Sequence, residues 1–395
     1  MTVSPVGREP RIQYWLIYVL SVLFALHNVL IIYVNSSFME QYVPQTVIGT
    51  FYVMGSAIAV LIFLFIAKVL KRVGNVRLTT YLTILEILML VVLGFTTYPA
   101  LVITAFLLFL IINPLLYLNL DIFSETLIGD NEASTGGKRG LVLTLMSTAA
   151  VLGPLTIGPI VGNEAGNLQN VYFVSATVFS IFLFIIITRF RSFTDPEYTE
   201  LPIFSAIRSF FAVKNIRYAL FSQFLLQVSF SWMIIYVPLY LHSVIGLTWS
   251  EIGIVISFGL LAYVLLEFPV GYLADNYIGE KEMLSLGFLI LSITIASISI
   301  FTASNPLVWI LVMFATRIGA SLVETTTESF FFKHTKGNDT NYLSFFRLTR
   351  PLAFVFGGLL GSASLLYLSF ANIFLVLSLF MISGVWVAWQ LQDTK

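Results

Sequence analysis

The stretch ATRIGASLVETTTESFFFKHTKGNDTNYLSFFRLTR, residues 315–350, sets Arg317, Glu324 and Glu328 inside or at the edge of an otherwise apolar run. At ~100° per helical residue these three side chains fall within roughly 40° of one another, so one wall of the predicted helix is charged. The pattern has a twin earlier in the chain. Pro114, Asp121 and Glu125 repeat the spacing, and Arg139 follows them as Arg347 follows Glu328. Asp121 and Glu324 are 203 residues apart, as are Glu125 and Glu328, which reads as two copies of one unit.

Composition decides the environment of those copies. Of 395 residues, 58% are hydrophobic and only 10% are charged, too apolar a surface for any water-soluble core to hide. Breaks at charged, Gly, Pro and Asn positions divide the chain into twelve apolar stretches of ~20 residues, the length that crosses a bilayer. The expected fold is therefore an all-α integral membrane protein of twelve transmembrane helices in two pseudo-symmetric six-helix bundles. With no Cys, and with His27, His242 and His334 widely scattered, neither a disulfide nor a metal cluster is expected. No basic stripe exists outside the membrane-flanking loops, which argues against nucleic acid as a partner.

Positive charge orients the chain. With the N-terminus inside, nineteen of the twenty Lys and Arg fall in the inner segments, and the remaining one, Arg317, sits near mid-membrane. Both termini are expected in the cytoplasm, with the protein in the inner or plasma membrane. The longest polar connection, near residues 191–217, separates an N-terminal bundle (1–190) from a C-terminal one (218–395). Its second half, Ile203 to Ala212, suits a short helix lying at the inner interface. The copies also agree elsewhere, since IIYV at Ile31–Val34 recurs at Ile234–Val237, again 203 residues on.

After the eighth span comes Gly271-Tyr272-Leu273-Ala274-Asp275-Asn276-Tyr277-Ile278-Gly279. This resembles the cytoplasmic-loop signature of the major facilitator superfamily, with Gly271, Leu273, Ala274 and Asp275 matching directly and Gly279 one residue late. The first-half loop keeps Arg72, Gly74 and Arg77 but has Lys71 where the aspartate belongs. Glu125 with Arg139, and Glu328 with Arg347, resemble the acidic end of one span paired with the basic opening of the next. Gly158, Pro159 and Gly162 are similar to the GPxxG core associated with antiporters.

The resemblance implies a secondary transporter working by alternating access, with no cofactor, with the proton as coupling ion, and with a monomer as working unit. It implies gating roles for Gly271, Asp275, Gly279, Glu125, Arg139, Glu328 and Arg347. The GPxxG-like element tilts the reading towards proton-coupled export of an amphipathic, drug-like compound. Proton-linked uptake of a sugar, peptide or organic anion is the alternative. A membrane-embedded enzyme would need a convergent nucleophile, acid-base or metal set; no HxxxxD, DxD or His-rich motif exists, so no enzymatic activity is expected. A non-transporting sensor on the same fold is the other reading outside transport.

Individual residues then become candidates for substrate binding or coupling. A mid-membrane Arg317 costs at least ~2.5 kcal/mol to insert and normally faces a cavity or a partner, for which Glu267 and Asp121 are candidates. Asp121, Glu267 and Glu324 are the expected proton carriers. His27, midway along the first span, suits either a proton relay or a hydrogen bond between helices. Gln223, Gln227 and Ser231 share one face of the seventh span near Trp232 and Tyr236, a face fit for lining a substrate site or for packing. Glu86 lies on a span expected at the periphery, with a structural role.

Overall fold

A computed structural model describes residues 15–128, 132–162, 165–198, 213–273, 277–334 and 340–391. The described chain is helical throughout, because hydrocarbon offers no partner for backbone N–H and C=O groups and a helix satisfies them within the segment. In the first half the helices are α1 (Trp15–Ile32), α2 (Asn35–Glu40), α3 (Gln45–Phe63), α4 (Ile66–Val73), α5 (Asn75–Phe95), α6 (Pro99–Ile128), α7 (Glu132–Val161) and α8 (Gln169–Arg189). The second half has α9 (Lys214–Ile235), α10 (Val237–Ser243), α11 (Trp249–Leu273), α12 (Glu280–Ile300), α13 (Pro306–His334), α14 (Thr340–Leu365) and α15 (Ile373–Trp389). Among the described residues eleven helices, some continuous through a break, are long and apolar enough to cross a membrane, and α15 is a shorter apolar twelfth. The twelve-span expectation agrees with this count. The interfacial helix expected at Ile203–Ala212 lies outside the described residues.

The duplication read from the sequence has a local structural meaning. Both IIYV copies fall where the first helix of their half breaks: α1 ends at Ile32 and α2 resumes at Asn35, while Tyr236 separates α9 from α10. Gly74 and Gly279 also correspond. Each adopts positive φ, +83° and +95°, at the residue before a span, α5 and α12 respectively. A side chain there would be strained, so glycine is required at both loops by backbone geometry.

Within the first half, α1 packs on α7 and α8, and α5 on α6 and α8. Within the second, α13 packs on α11 and α12, and α15 on α12. The halves meet along two seams, α3 with α14 and α7 with α11. Both seams depend on missing side chains. A Cβ on Gly49 would lie 2.8 Å from the Gly358 carbonyl oxygen, and one on Gly358 would lie 2.7 Å from that of Gly49. In the other seam a Cβ on Gly158 would lie 2.5 Å from Ser250 Cα, and one on Gly253 would strike the Pro154 carbonyl. These contacts lie towards the end away from Lys71, Arg72, Arg77, Arg191 and Lys281, and Gln45 donates to Ser243 across the halves there at 3.3 Å. That end is closed by backbone against backbone.

Gly49→Val is therefore expected to destabilise the protein by about 1–3 kcal/mol through overpacking, read as a lowered thermal midpoint of the purified protein in detergent. Gly271→Ala is the control, because its added methyl meets Thr325 Cγ2 at an ordinary 3.6 Å and should leave that midpoint in place.

Candidate functional site

Arg317 is carried by α13 to the boundary between the halves and is buried, 7% exposed. Its guanidinium carbon lies 5.7 Å from the centroid of the Phe230 ring, from α9, a distance at which the ring's negative face attracts the cation. Phe230 in turn meets Tyr263 of α11 edge to face at 6.2 Å. Arg317 acts electrostatically on the Tyr263 hydroxyl and, across the boundary, on Tyr33 at the break that follows α1. A second cation, exposed rather than buried, also faces an aromatic ring of the first half. Arg350 of α14 stands 5.7 Å over the ring of Tyr117 from α6 and also acts on Tyr33. Two arginines of the second half thus face two tyrosines of the first. Glu324, two turns along α13, is half-buried and bears on Tyr263 as well.

The other candidates distribute unevenly around this cluster. Asp121, Glu125 and Glu328 are half-buried, and each is engaged with a neighbour. Asp275 lies outside the described residues, and the side chains of Glu267, Arg139 and Arg347 are likewise not described. Gln223 and Gln227 are buried on α9. Trp232 and Tyr236 are fully buried: the indole N–H donates to the Gly357 carbonyl at 2.9 Å and the phenol to that of Gly358 at 3.4 Å, fastening α9 to α14. Gly158 belongs to the α7–α11 seam while Pro159 is exposed, and Gly162 ends that helix at φ +69°, its N–H bonded to the Gly158 carbonyl at 2.8 Å. His27 sits inside the first half, where its ring pairs with Glu86 at 2.8 Å. Glu86 is fully buried rather than peripheral, because α5 turns this face towards α1 and α6.

The loop between α4 and α5 holds a residue that sequence reasoning missed. Lys71 stands where the family pattern has an aspartate, and Asp195, from the segment after α8, supplies the missing carboxylate. Its Oδ1 accepts the backbone N–H of Asn75, the first residue of α5, at 2.8 Å. An anion there satisfies an otherwise orphaned donor and complements the helix dipole. Tyr198 donates to the same oxygen at 2.6 Å. Burial and the adjacent carboxylate hold the Tyr198 hydroxyl well above its usual range, so it remains a donor at any physiological pH. A Cβ on Gly74 would come within 2.7 Å of Asp195 Oδ2, a second reason for glycine there. This corner opens into a cavity of about 1190 Å³ lined by Lys71, Arg72, Arg77, Arg191, Asp195 and Glu197, among others. The only sequence signal for Asp195 was the lost aspartate itself, which leaves a cap to be supplied from elsewhere.

Seams of small residues between two helical halves, with the buried Arg317 at the boundary, define a polytopic helical membrane protein. Residues 219–395 match the family model described as Major Facilitator Superfamily. No curated protein matches the chain significantly. Among solved structures, a POT family transporter in complex with 5-aminolevulinic acid is similar with a TM-score of 0.77 at 12% identity, over 96% of this chain and 97% of that one. A mutant of the nucleoside transporter NupG gives 0.75 at 12% identity, over 95% and 98%. A peptide transporter, a POT mutant in complex with alafosfalin, gives 0.71 at 12% identity, over 99% and 97%. Residues 219–395 thus carry the similarity to that family in sequence, and the whole chain shares the fold of these solved transporters.

Asp195→Ala is expected to cost about 0.5–2 kcal/mol, the usual worth of a helix cap. Hydrogen exchange should localise the loss, with faster exchange at the amides of Asn75 to Leu78 and little change in α1.

Proposed function

We propose that this protein is a proton-coupled secondary transporter that imports a small organic solute carrying an anionic group, by alternating access between its two halves. The observation that carries the reading is Arg317, a buried cation at the boundary, flanked by the Phe230 ring and the Tyr33 and Tyr263 hydroxyls. A cation held in an apolar span is costly to place, and that cost is offset when the site exchanges its aromatic neighbours for a solute carboxylate or phosphate. Arg350, exposed and set over the Tyr117 ring, adds a second cation near Tyr33. Both sets draw on both halves, so a solute bound there would feel any rocking of one half against the other.

Import is favoured over export on two grounds. The three neighbours named above are described as nucleoside, peptide and POT family transporters, two of them in complex with small solutes, one of which is 5-aminolevulinic acid. The GPxxG-like element retains only its resemblance as an argument for antiport, because the Ser250 backbone against Gly158 accounts for its glycine by packing alone. Asp121 and Glu324 flank the boundary site and are suited to exchanging protons with it.

The test is uptake into proteoliposomes, pH 7.5 inside and 6.0 outside, of labelled dialanine, uridine and 5-aminolevulinate. At least one should accumulate, collapse of the gradient by a protonophore should abolish accumulation, and Arg317→Ala should lower the initial rate at least ~10-fold, the worth of about 1.4 kcal/mol. Expulsion of a preloaded solute by an inward gradient would establish export instead, and indifference of transport to the gradient would remove the proton.

A further inference from the structure

Away from the boundary, the first half encloses a polar contact that the transport site does not use. His27 Nε2 of α1 lies 2.8 Å from Glu86 Oε1 of α5, and both side chains are fully buried. On the far side of the ring, Nδ1 is 2.7 Å from Ser175 Oγ of α8. The same hydroxyl lies 3.0 Å from the His27 carbonyl oxygen, to which it donates. A hydroxyl has one hydrogen, so keeping both contacts requires the ring to donate from Nδ1. Asn113 of α6 donates its amide to Glu86 Oε1 at 3.1 Å, and Phe179 stacks on the imidazole at 4.0 Å and 9°.

This geometry counts protons. With Nδ1–H committed to Ser175, the 2.8 Å contact needs one further proton, held by Glu86 as a carboxylic acid or by the ring as an imidazolium against a carboxylate. Either form is neutral as a pair. Loss of that proton would set an imidazole lone pair against a carboxylate with nothing to compensate it. The sequence brings no cation to this level of the bundle. The only other titratable groups on α1 and α8 are Tyr18, Tyr172 and Arg189; on α5 and α6 they are Arg77, Tyr81, Tyr117, Asp121 and Glu125; on α7 they are Glu132, Lys138 and Arg139. Along their helices Arg77 lies nine residues from Glu86, Asp121 eight and Glu125 twelve from Asn113, and Arg189 fourteen from Ser175. Glu86 Oε2 has no hydrogen-bond partner among the described residues, which leaves the carboxyl one open position inside a sealed pocket.

We propose that His27 and Glu86 form a proton-binding site, occupied by one exchangeable proton in the closed first half and emptied only when α1 and α5 part enough to admit water. Its role as the coupling site rests on the proton-linked reading above. The mechanical connection is α1 itself, which carries His27 in its interior and, six residues on, delivers Tyr33 to Arg317. A shift of α1 that opens the dyad therefore also displaces a residue of the solute site.

Thermal unfolding of the full-length protein in detergent, followed from pH 5 to pH 9, tests the site without a substrate. Wild type and the double variant His27→Gln/Glu86→Gln should differ by one proton of linkage within this range, a tenfold change in relative unfolding constant per pH unit at its steepest. Glu86→Gln alone, whose amide can still donate to Nε2, serves if the double variant does not fold. Superimposable profiles overturn the site. In proteoliposomes Glu86→Gln should retain equilibrium exchange of the transported solute yet lose gradient-driven accumulation, and unimpaired accumulation overturns the coupling role. A wild type that shows the proton linkage but ignores an imposed gradient supports the site and overturns both the coupling role and the proton-linked reading on which it rests.

Discussion

Hydrocarbon offers no hydrogen bonds, and the structure follows from that constraint. It forces every span into a helix and makes an unpaired polar group inside the bundle expensive. It also leaves helix association to close packing rather than to water expulsion. The seams between the halves show the last consequence. Gly49 against Gly358, and Gly158 and Gly253 against Ser250 and Pro154, bring backbones together where a methyl group would not fit. Such seams have little apolar area to lose when they open, which suits contacts that must form and break during a transport cycle.

The same constraint explains why the polar residues gather in a few places. His27, Glu86, Asn113 and Ser175 hydrogen-bond with one another from four helices, leaving Glu86 Oε2 without a partner among the described residues, while Trp232 and Tyr236 spend their donors on carbonyls of α14. Arg317 is set among the Phe230 ring and the Tyr263 and Tyr33 hydroxyls, which stabilise its charge at the boundary between the halves.

The duplication is symmetric where the fold needs backbone geometry and asymmetric where chemistry is placed. Both copies keep the helix break at IIYV and the positive-φ glycine before the next span. They diverge at the charged positions: Arg317 corresponds in spacing to Pro114, and Lys71 stands opposite the family's aspartate, with Asp195 supplying the missing cap from the following segment.

Much of this was legible in the sequence. Span number, the repeat and the exceptional position of Arg317 are one-dimensional facts, because hydropathy, periodicity and charge placement act along a single helix. Asp195 as a cap, Tyr33 and Tyr263 around Arg317, and the meeting of His27 with Glu86 were not legible. Each joins residues separated by tens to hundreds of positions on different helices, and nothing in one sequence says which faces of twelve similar apolar helices will touch. The sequence by itself determined a duplicated helical membrane protein with one cation placed at great cost. Only tertiary structure decided what surrounds that cation and which buried carboxyl meets the histidine of the first span, because in hydrocarbon helix pairing is settled by the fit of small residues and the mutual satisfaction of polar ones.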